Sequence, residues 1–414
     1  MQKYVDAVIL MQMNSKELKL LNTSGDWNIQ SFVEQKPINP FSDEVIEYLN
    51  TLSKELNQNK KIKSFPDVAT FSFYCRKSNI LQLKKKFNND EQIKLGLGVL
   101  FHIAPSNVAI NFAYSLVVGL LSGNLNIVRV PSKYFEQVEM VARAINAISK
   151  SKKHRAVSNR IVLVNYDSTT DLTKSFSSVC DVRVIWGGDE TISKIRENKL
   201  NPRAFDLTFA DRYSICIINA DKYVEEKKYK QIASGFFNDT YLFDQNACTS
   251  PHLIIWVGNK SSIKEGQFQF WETLYFLAKN NYQLASGVVI DKLTNLFDHA
   301  ISAKGLKLKN NKDNLLWRVH VDELQSNIDE FRCNSGYFAE YCTEDLKEIE
   351  GIINKKYQTL AYYGFSNEEL KNLIKELKPH GIDRIVPIGK TMDFSLIWDG
   401  YDLINKLSRT IEIL

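Results

Sequence analysis

The chain has 414 residues, 44% hydrophobic and 24% charged, with a formal net charge of +5. That length exceeds the roughly 250–300 residues at which one core stops growing, so two domains are expected. The composition excludes a disordered or fibrous protein. So small a charge over such a length gives no nucleic-acid signature, because nucleic-acid binders concentrate basic residues on one face.

Residues 1–80 are mixed. Val45, Leu49, Leu52 and Leu56 recur at steps of four, three and four, one face of an amphipathic helix, in a peripheral lead-in. From residue 97 the pattern becomes regular. Val99–Ala104 reads as a strand, Asn107–Leu121 as a helix with Ser106 as its N-cap, and Leu125–Val130 as a second strand. Pro131-Ser132-Lys133 is a turn, followed by a helix with Val138, Val141, Ile145 and Ile148 on one face. Ile161–Asn165, Val182–Trp186 and Tyr213–Ile218 complete five strands. Strands alternating with helices imply right-handed crossovers and a parallel sheet. Such sheets bind ligands beyond the carboxyl ends of their strands. The informative loops are therefore Pro105–Asn107, Pro131–Lys133 and Gly187–Glu190. A second alternating region, residues 222–385, contains the runs His252–Val257 and Gln358–Tyr363 and a helix near Glu368–Leu377.

The cysteines Cys75, Cys180, Cys216, Cys248, Cys333 and Cys342 form no CxxC pair, and MQKYVDAVIL at the N-terminus is no secretory signal. Unpaired cysteines without a signal point to a reducing cytoplasm. No cluster has metal-ligand spacing, so no metal is expected. The most apolar stretch, Val108–Ile127, is interrupted by Asn111, Gly123, Asn124 and Asn126 and reads as a buried helix entering a strand, not an integral membrane segment.

Cys248 lies in the loop Phe243–His252, among the small residues Ala247, Thr249 and Ser250. A catalytic thiol needs partial exposure and a stabilised thiolate, which a loop feeding a strand provides; free cysteines are more often small buried hydrophobes. His252 either tunes that thiol or starts the strand structurally. Asn107 either donates to an oxyanion or caps its helix. Arg129 and Lys133 either hold a cofactor phosphate or ribose or are exposed charges at a turn. Gly187-Gly188 either brings backbone to a pyrophosphate at a helix N-terminus or is a plain turn. His102, Asp383 and Arg384 carry no legible chemical role.

Together, the runs His102–Lys133, Asp244–His252 and Gly381–Ile404 resemble the acyl-CoA reductase family, that of the fatty-acid reductase subunit of bacterial bioluminescence. That family is similar to the aldehyde dehydrogenase superfamily. The resemblance implies two doubly wound α/β domains with the active site between them. Residues 1–221 would hold the cofactor-binding domain, 222–385 the catalytic domain, and 386–414 would return to the first. Cys248 maps onto the nucleophile. Pro105-Ser106-Asn107 stands for the superfamily's pro-trp-asn turn, so Asn107 inherits the oxyanion role. The lys-pro-ser-glu turn appears as Val130-Pro131-Ser132-Lys133. Lys133 in the acidic position, with Arg129, would attract a 2′-phosphate and favours NADPH. Gly187-Gly188-Asp189 replaces a gly-ser-thr turn. The glutamate that activates water in hydrolytic members has no counterpart in Leu207–Ala210.

The implied function is NADPH-dependent reduction of a fatty acyl thioester to the aldehyde through an acyl-cysteine. The donor would be acyl-CoA or an acyl-protein, with an acyl-protein synthetase as a partner and a homo-oligomeric assembly. The alternatives are a CoA-acylating aldehyde dehydrogenase working oxidatively and a non-catalytic acyl-binding scaffold.

Overall fold

The structure is a computed structural model that describes residues 18–22, 27–87, 92–106, 108–302, 305–309 and 312–413. By internal contacts the chain divides into two compact units, residues 1–210 with 396–414, and residues 211–395.

In the first unit the strands are β1 (Lys19–Leu20), β2 (Ile93–Gly96), β3 (Val99–Ile103), β4 (Leu125–Arg129), β5 (Ile161–Asn165), β6 (Val182–Trp186) and β7 (Phe205–Phe209). Among the described residues the main sheet runs β1-β5-β4-β3-β6-β7. Only β1 is antiparallel to its neighbour; β3 to β7 are parallel. β3 and β6 are buried along their whole length, as parallel strands covered on both faces should be. The chain leaves β3 through β4 and β5, then returns to the other side of β3 for β6 and β7. The strand order therefore reverses between β3 and β6, where open α/β sheets place their ligand crevice.

The helix Asp43–Gln58 buries Val45, Leu49, Leu52 and Leu56 and packs on the helix Glu136–Ser149. Each buried leucine is worth roughly 1.5–3 kcal/mol, so this segment is core and not a peripheral lead-in. It follows a chain segment anchored at Gly123, whose φ is +86° and where a Cβ would fall 2.0 Å from the Ile38 carbonyl oxygen. Only glycine fits there. The helix expected from Asn107 begins at Asn111, and no side chain caps it. Residues 108–110 make a turn in which Asn111 N donates to Val108 O at 3.4 Å, so Ser106 is not the N-cap.

The second unit contains β8 (Tyr213–Asn219), β9 (Pro251–Val257), β10 (Lys307–Leu308), β11 (Trp317–His320), β12 (Tyr337–Thr343), β13 (Tyr357–Tyr363) and β14 (Arg384–Pro387). Its sheet runs β10-β11-β12-β9-β8-β13-β14 and is parallel except for β10. Tyr213–Ile218 is thus not a fifth strand of the first sheet. It pairs with β9 and β13, and its two faces feed two cores, Cys216 and Ile218 on one side and Tyr213, Ile215 and Ile217 on the other. The unit boundary accordingly falls at Ala210/Asp211, ahead of the expected 221/222.

The chain re-enters the first unit at Leu396, later than the expected residue 386. There β15 (Ile397–Trp398) pairs with β16 (Tyr401–Asp402), and β17 (Ser408–Ile411) pairs antiparallel with β2. Asn124 Nδ2 ties this tail to the sheet by donating to Leu407 O at 2.8 Å. No helix among the described residues is long and apolar enough to cross a membrane.

Candidate functional site

Cys248 sits between the helix Tyr229–Thr240 and β9, in a loop held from several sides. Asp244 and Gln245 both take left-handed backbone, with φ of 52° and 57°. The fully buried Gln245 side chain offsets that strain. Its Nε2 donates to Pro251 O (3.0 Å) and Tyr337 O (3.1 Å), and its Oε1 accepts from Gly336 N (3.0 Å) and Tyr337 N (3.2 Å). Ser335 N donates to Asp244 O (3.0 Å), and Asn334 Nδ2 to Asn246 Oδ1 (2.6 Å). The Cys248 carbonyl accepts from Ser214 Oγ at 2.6 Å. The loop is therefore positioned before any ligand arrives.

Cys248 is half-buried and is not in a disulfide. Cys342 is half-buried as well, and Cys75, Cys180, Cys216 and Cys333 are buried. Burial pushes Cys75 and Cys216 up, Cys180 up to about 12 and Cys342 to about 11, and Cys333 also upward. Desolvation disfavours each of those thiolates.

His252 starts β9, stacks on Tyr213 with ring centroids 5.7 Å apart, and is buried. Burial lowers its pKa to about 3, so it is a neutral, structural imidazole rather than a base for Cys248. His102 is also structural. Its Nδ1 meets Ser115 Oγ at 2.7 Å and its Nε2 meets Asn126 Oδ1 at 3.0 Å. Burial lowers it to about 4. Trp186 Nε1 donates to the same Ser115 Oγ at 3.1 Å, so the network assigns the proton to Nε2.

In the first unit the expected cofactor residues lie on the carboxyl edge of the sheet. Pro105 and Ser106 follow β3 and Gly187-Gly188 follows β6, so the two turns flank the reversal point. Pro131, Ser132 and Lys133 follow β4; Pro131 is buried, while Ser132 and Lys133 are exposed. Arg129 is not a loose surface charge. Its guanidinium lies 4.6 Å from the Tyr166 ring centre and donates to Tyr166 O at 3.3 Å. Asn107 lies outside the described residues.

These residues fit a dinucleotide in place and partly in chemistry. A Cβ on Gly188 would meet nothing within 4 Å, which leaves room for a ligand beside the backbone. Gly188 also opens the helix Asp189–Arg196 without a side-chain cap, so its first N–H groups are available. Asp189 and Glu190 in that first turn oppose a pyrophosphate. Beside this turn Trp186 and Phe209 stack at 3.7 Å, with Tyr401 against Phe209. Phe209 lies in the stretch Leu207–Ala210, which carries no carboxylate. The nearest carboxylate in β7, Asp206, is bound by Arg183.

Sequence reasoning missed Gln245 and Asp239, and it noted Arg384 without a role. Asp239 is buried, and its carboxylate accepts from Gly389 N (2.6 Å) and Thr391 N (3.1 Å). Burial raises its pKa to about 6. Asp383 pairs with Arg212. Only the start of the run Gly381–Ile404 hinted that the tail of the second unit mattered.

A family model described as Acyl-CoA reductase (LuxC) matches residues 76–410. The chain is similar to the long-chain acyl-protein thioester reductase of Aliivibrio fischeri, 24% identical over 323 residues that cover 77% of this chain and 63% of that protein. The Vibrio harveyi protein of that name is 25% identical over 334 residues, covering 77% and 64%. The match thus spans less than two thirds of these relatives' length. Among solved structures, lactaldehyde dehydrogenase from Escherichia coli superposes with a TM-score of 0.62 at 12% identity, covering 99% of this chain and 90% of that one. Glyceraldehyde-3-phosphate dehydrogenase from Methanocaldococcus jannaschii, solved with NADP, gives 0.61 at 12% identity, covering 99% and 93%. The fold is that of the aldehyde dehydrogenases.

Proposed function

The chain belongs to the acyl-CoA reductase (LuxC) family, and on that premise we propose that it reduces a fatty acyl thioester to the aldehyde, with NADPH, through an acyl group held on Cys248. The carrying observation is the built loop around one half-buried thiol. Cys248 stands on a loop pinned by Gln245 and Ser214, while Cys75, Cys180, Cys216 and Cys333 are buried.

The Cys248 thiolate attacks the acyl carbonyl carbon. A new S–C bond forms and the donor's C–S bond breaks, so the donor leaves as a thiolate. The leaving thiol has a reference pKa near that of cysteine, about 8.5, and needs little acid assistance. To Asn107 we assign the side-chain donor to the oxyanion, with the backbone N–H of Cys248 as the second donor. A bound nicotinamide dinucleotide supplies the hydride that reduces the acyl carbon. Pro105, Ser106, Gly187 and Gly188 would hold its pyrophosphate side, and Arg129, Pro131, Ser132 and Lys133 its ribose side. Exposed Lys133 supports a 2′-phosphate there, hence NADPH. When the thiohemiacetal collapses, its hydroxyl loses the proton, the S–C bond breaks, and the electron pair returns to Cys248 Sγ.

The segment Leu207–Ala210 carries no carboxylate, which supports an acyl-enzyme that outlasts exposure to water. The donor is acyl-CoA or an acyl-protein, the latter drawn from the names of the relatives, which makes an acyl-protein synthetase a candidate partner. We assign the protein to the cytoplasm as a homo-oligomer.

Labelling with radioactive acyl-CoA tests the reading. The wild type should retain label, and Cys248→Ala should not; label kept by Cys248→Ala refutes it. Asn107→Ala should lose about 10²–10³ in turnover while still binding cofactor. NADPH consumption with acyl-CoA, set against NADP⁺ reduction with aldehyde, reports the working direction.

A further inference from the structure

Arg384 is the first residue of β14, where it stands opposite Thr359 of β13. Thr359 N donates to Ser214 Oγ at 3.2 Å, and Ser214 Oγ donates to the Cys248 carbonyl. Arg384 therefore lies at the same sheet edge as the thiol loop, two strands from Ser214. Its guanidinium is gripped by backbone. Nη1 donates to Thr391 O (2.8 Å), and Nη2 to Lys390 O (3.1 Å) and Asp393 O (2.5 Å).

The loop that grips it is fastened to the thiol loop. The Asp239 carboxylate holds Gly389 N and Thr391 N, and the Asp239 carbonyl accepts from Ser250 Oγ at 2.7 Å. Thr249 Oγ1 donates to Met392 Sδ at 3.3 Å. Three backbone carbonyls orient the guanidinium. The Arg384 charge lies within electrostatic range of Cys248, together with Asp393 and Asp239. Of the other charges on this loop and strand, Lys390 pairs with Asp393 at 3.0 Å and Asp383 with Arg212.

We propose that Arg384 is the positioning residue of the reactive thiol, a cation set by the residue 389–393 loop that stabilises Cys248 as a thiolate. This rests on the reading of Cys248 as nucleophile. The charge is needed twice. It favours the thiolate that attacks the thioester, and it receives the same thiolate when the thiohemiacetal S–C bond breaks and the pair returns to sulfur. An adjacent arginine lowers a cysteine pKa by favouring the charged form.

The test is the pH dependence of iodoacetamide alkylation at Cys248, followed by peptide mass spectrometry in the full-length chain. The wild type should reach half its maximal rate below the free-thiol value of about 8.5. Arg384→Gln should raise that half-point by about one pH unit or more. Arg384→Lys keeps the charge but loses the planar fork, and should stay nearer the wild type than Arg384→Gln. An unchanged half-point in Arg384→Gln overturns the proposal, as do equal shifts in both variants, which would mean the side chain only shapes the loop. Should the neutral variant not fold, Arg384→Lys decides alone, and a half-point at the free-thiol value overturns the assignment. A wild-type thiol no more reactive than free cysteine refutes the nucleophile itself; reactive thiol that is indifferent to residue 384 refutes only the role of Arg384.

Discussion

Gln245 offers the sharpest test of how the thiol loop is built. Gln245→Ala removes one amide that pairs with four backbone groups, the carbonyls of Pro251 and Tyr337 and the N–H groups of Gly336 and Tyr337. Each buried group left unpaired costs about 1–3 kcal/mol. Water entering the vacated space re-pairs part of them, so a net loss of about 3–5 kcal/mol is expected. Amide hydrogen exchange over residues 244–257 and 335–343 reads this locally, without assuming that both units unfold together. The opening free energy there should fall enough to raise exchange on the order of 10²–10³-fold. Gln245→Glu sharpens the test. Its carboxylate still accepts from the two N–H groups, but at neutral pH its other oxygen faces two carbonyl oxygens. Protonation restores one donor, so this variant should be less damaged at pH 5 than at pH 7. Changes under about 1 kcal/mol in both variants, or a Glu variant indifferent to pH, would show that the loop does not depend on this hub.

Asp239 has a folded pKa of about 6, raised from 3.8 by burial. A raised pKa contributes stability that is present below the unfolded value and lost as pH rises through the folded one, here between about 4 and 6. The stability of the wild type relative to Asp239→Asn should therefore fall by about 2 kcal/mol between pH 4 and pH 7. Melting temperatures of both proteins over that range check it, and parallel curves would refute the buried-acid account. Arg183 is 1% exposed and pairs with Asp206 through Nε (2.7 Å) and Nη2 (3.1 Å). Arg183→Met should destabilise by about 3–5 kcal/mol in thermal unfolding, and Arg183→Met with Asp206→Leu should recover much of that.

Local chemistry made much of this molecule readable. The turns after β3, β4 and β6 declare themselves through Pro105, Pro131 and Gly187-Gly188, because those residues restrict or free the backbone where they stand. The helix Glu136–Ser149 is legible because its spacing of Val138, Val141, Ile145 and Ile148 is a property of one segment. Pairing is not such a property. Tyr213–Ile218 is apolar on both faces and would suit either sheet; only its register against Leu253 and Ile255 assigns it. The same holds for Arg384 and Gln245. Their partners lie far away in the chain, and nothing in a short window announces a guanidinium whose work is done on other residues' carbonyls. His252, by contrast, attracted notice through proximity in sequence to Cys248, yet burial leaves it neutral and turned to packing.

The bonds that shape the thiol loop join Gln245 to Tyr337, 92 residues on, and Asp239 to Thr391, 152 residues on. Contacts so distant along the chain close late, after the loops between them have given up their freedom. A ribosome must release nearly the whole second unit before that loop can take its final form. On the reading of Cys248 as nucleophile, its full reactivity should therefore mark the end of folding, and a truncated or half-made chain would carry an ordinary thiol.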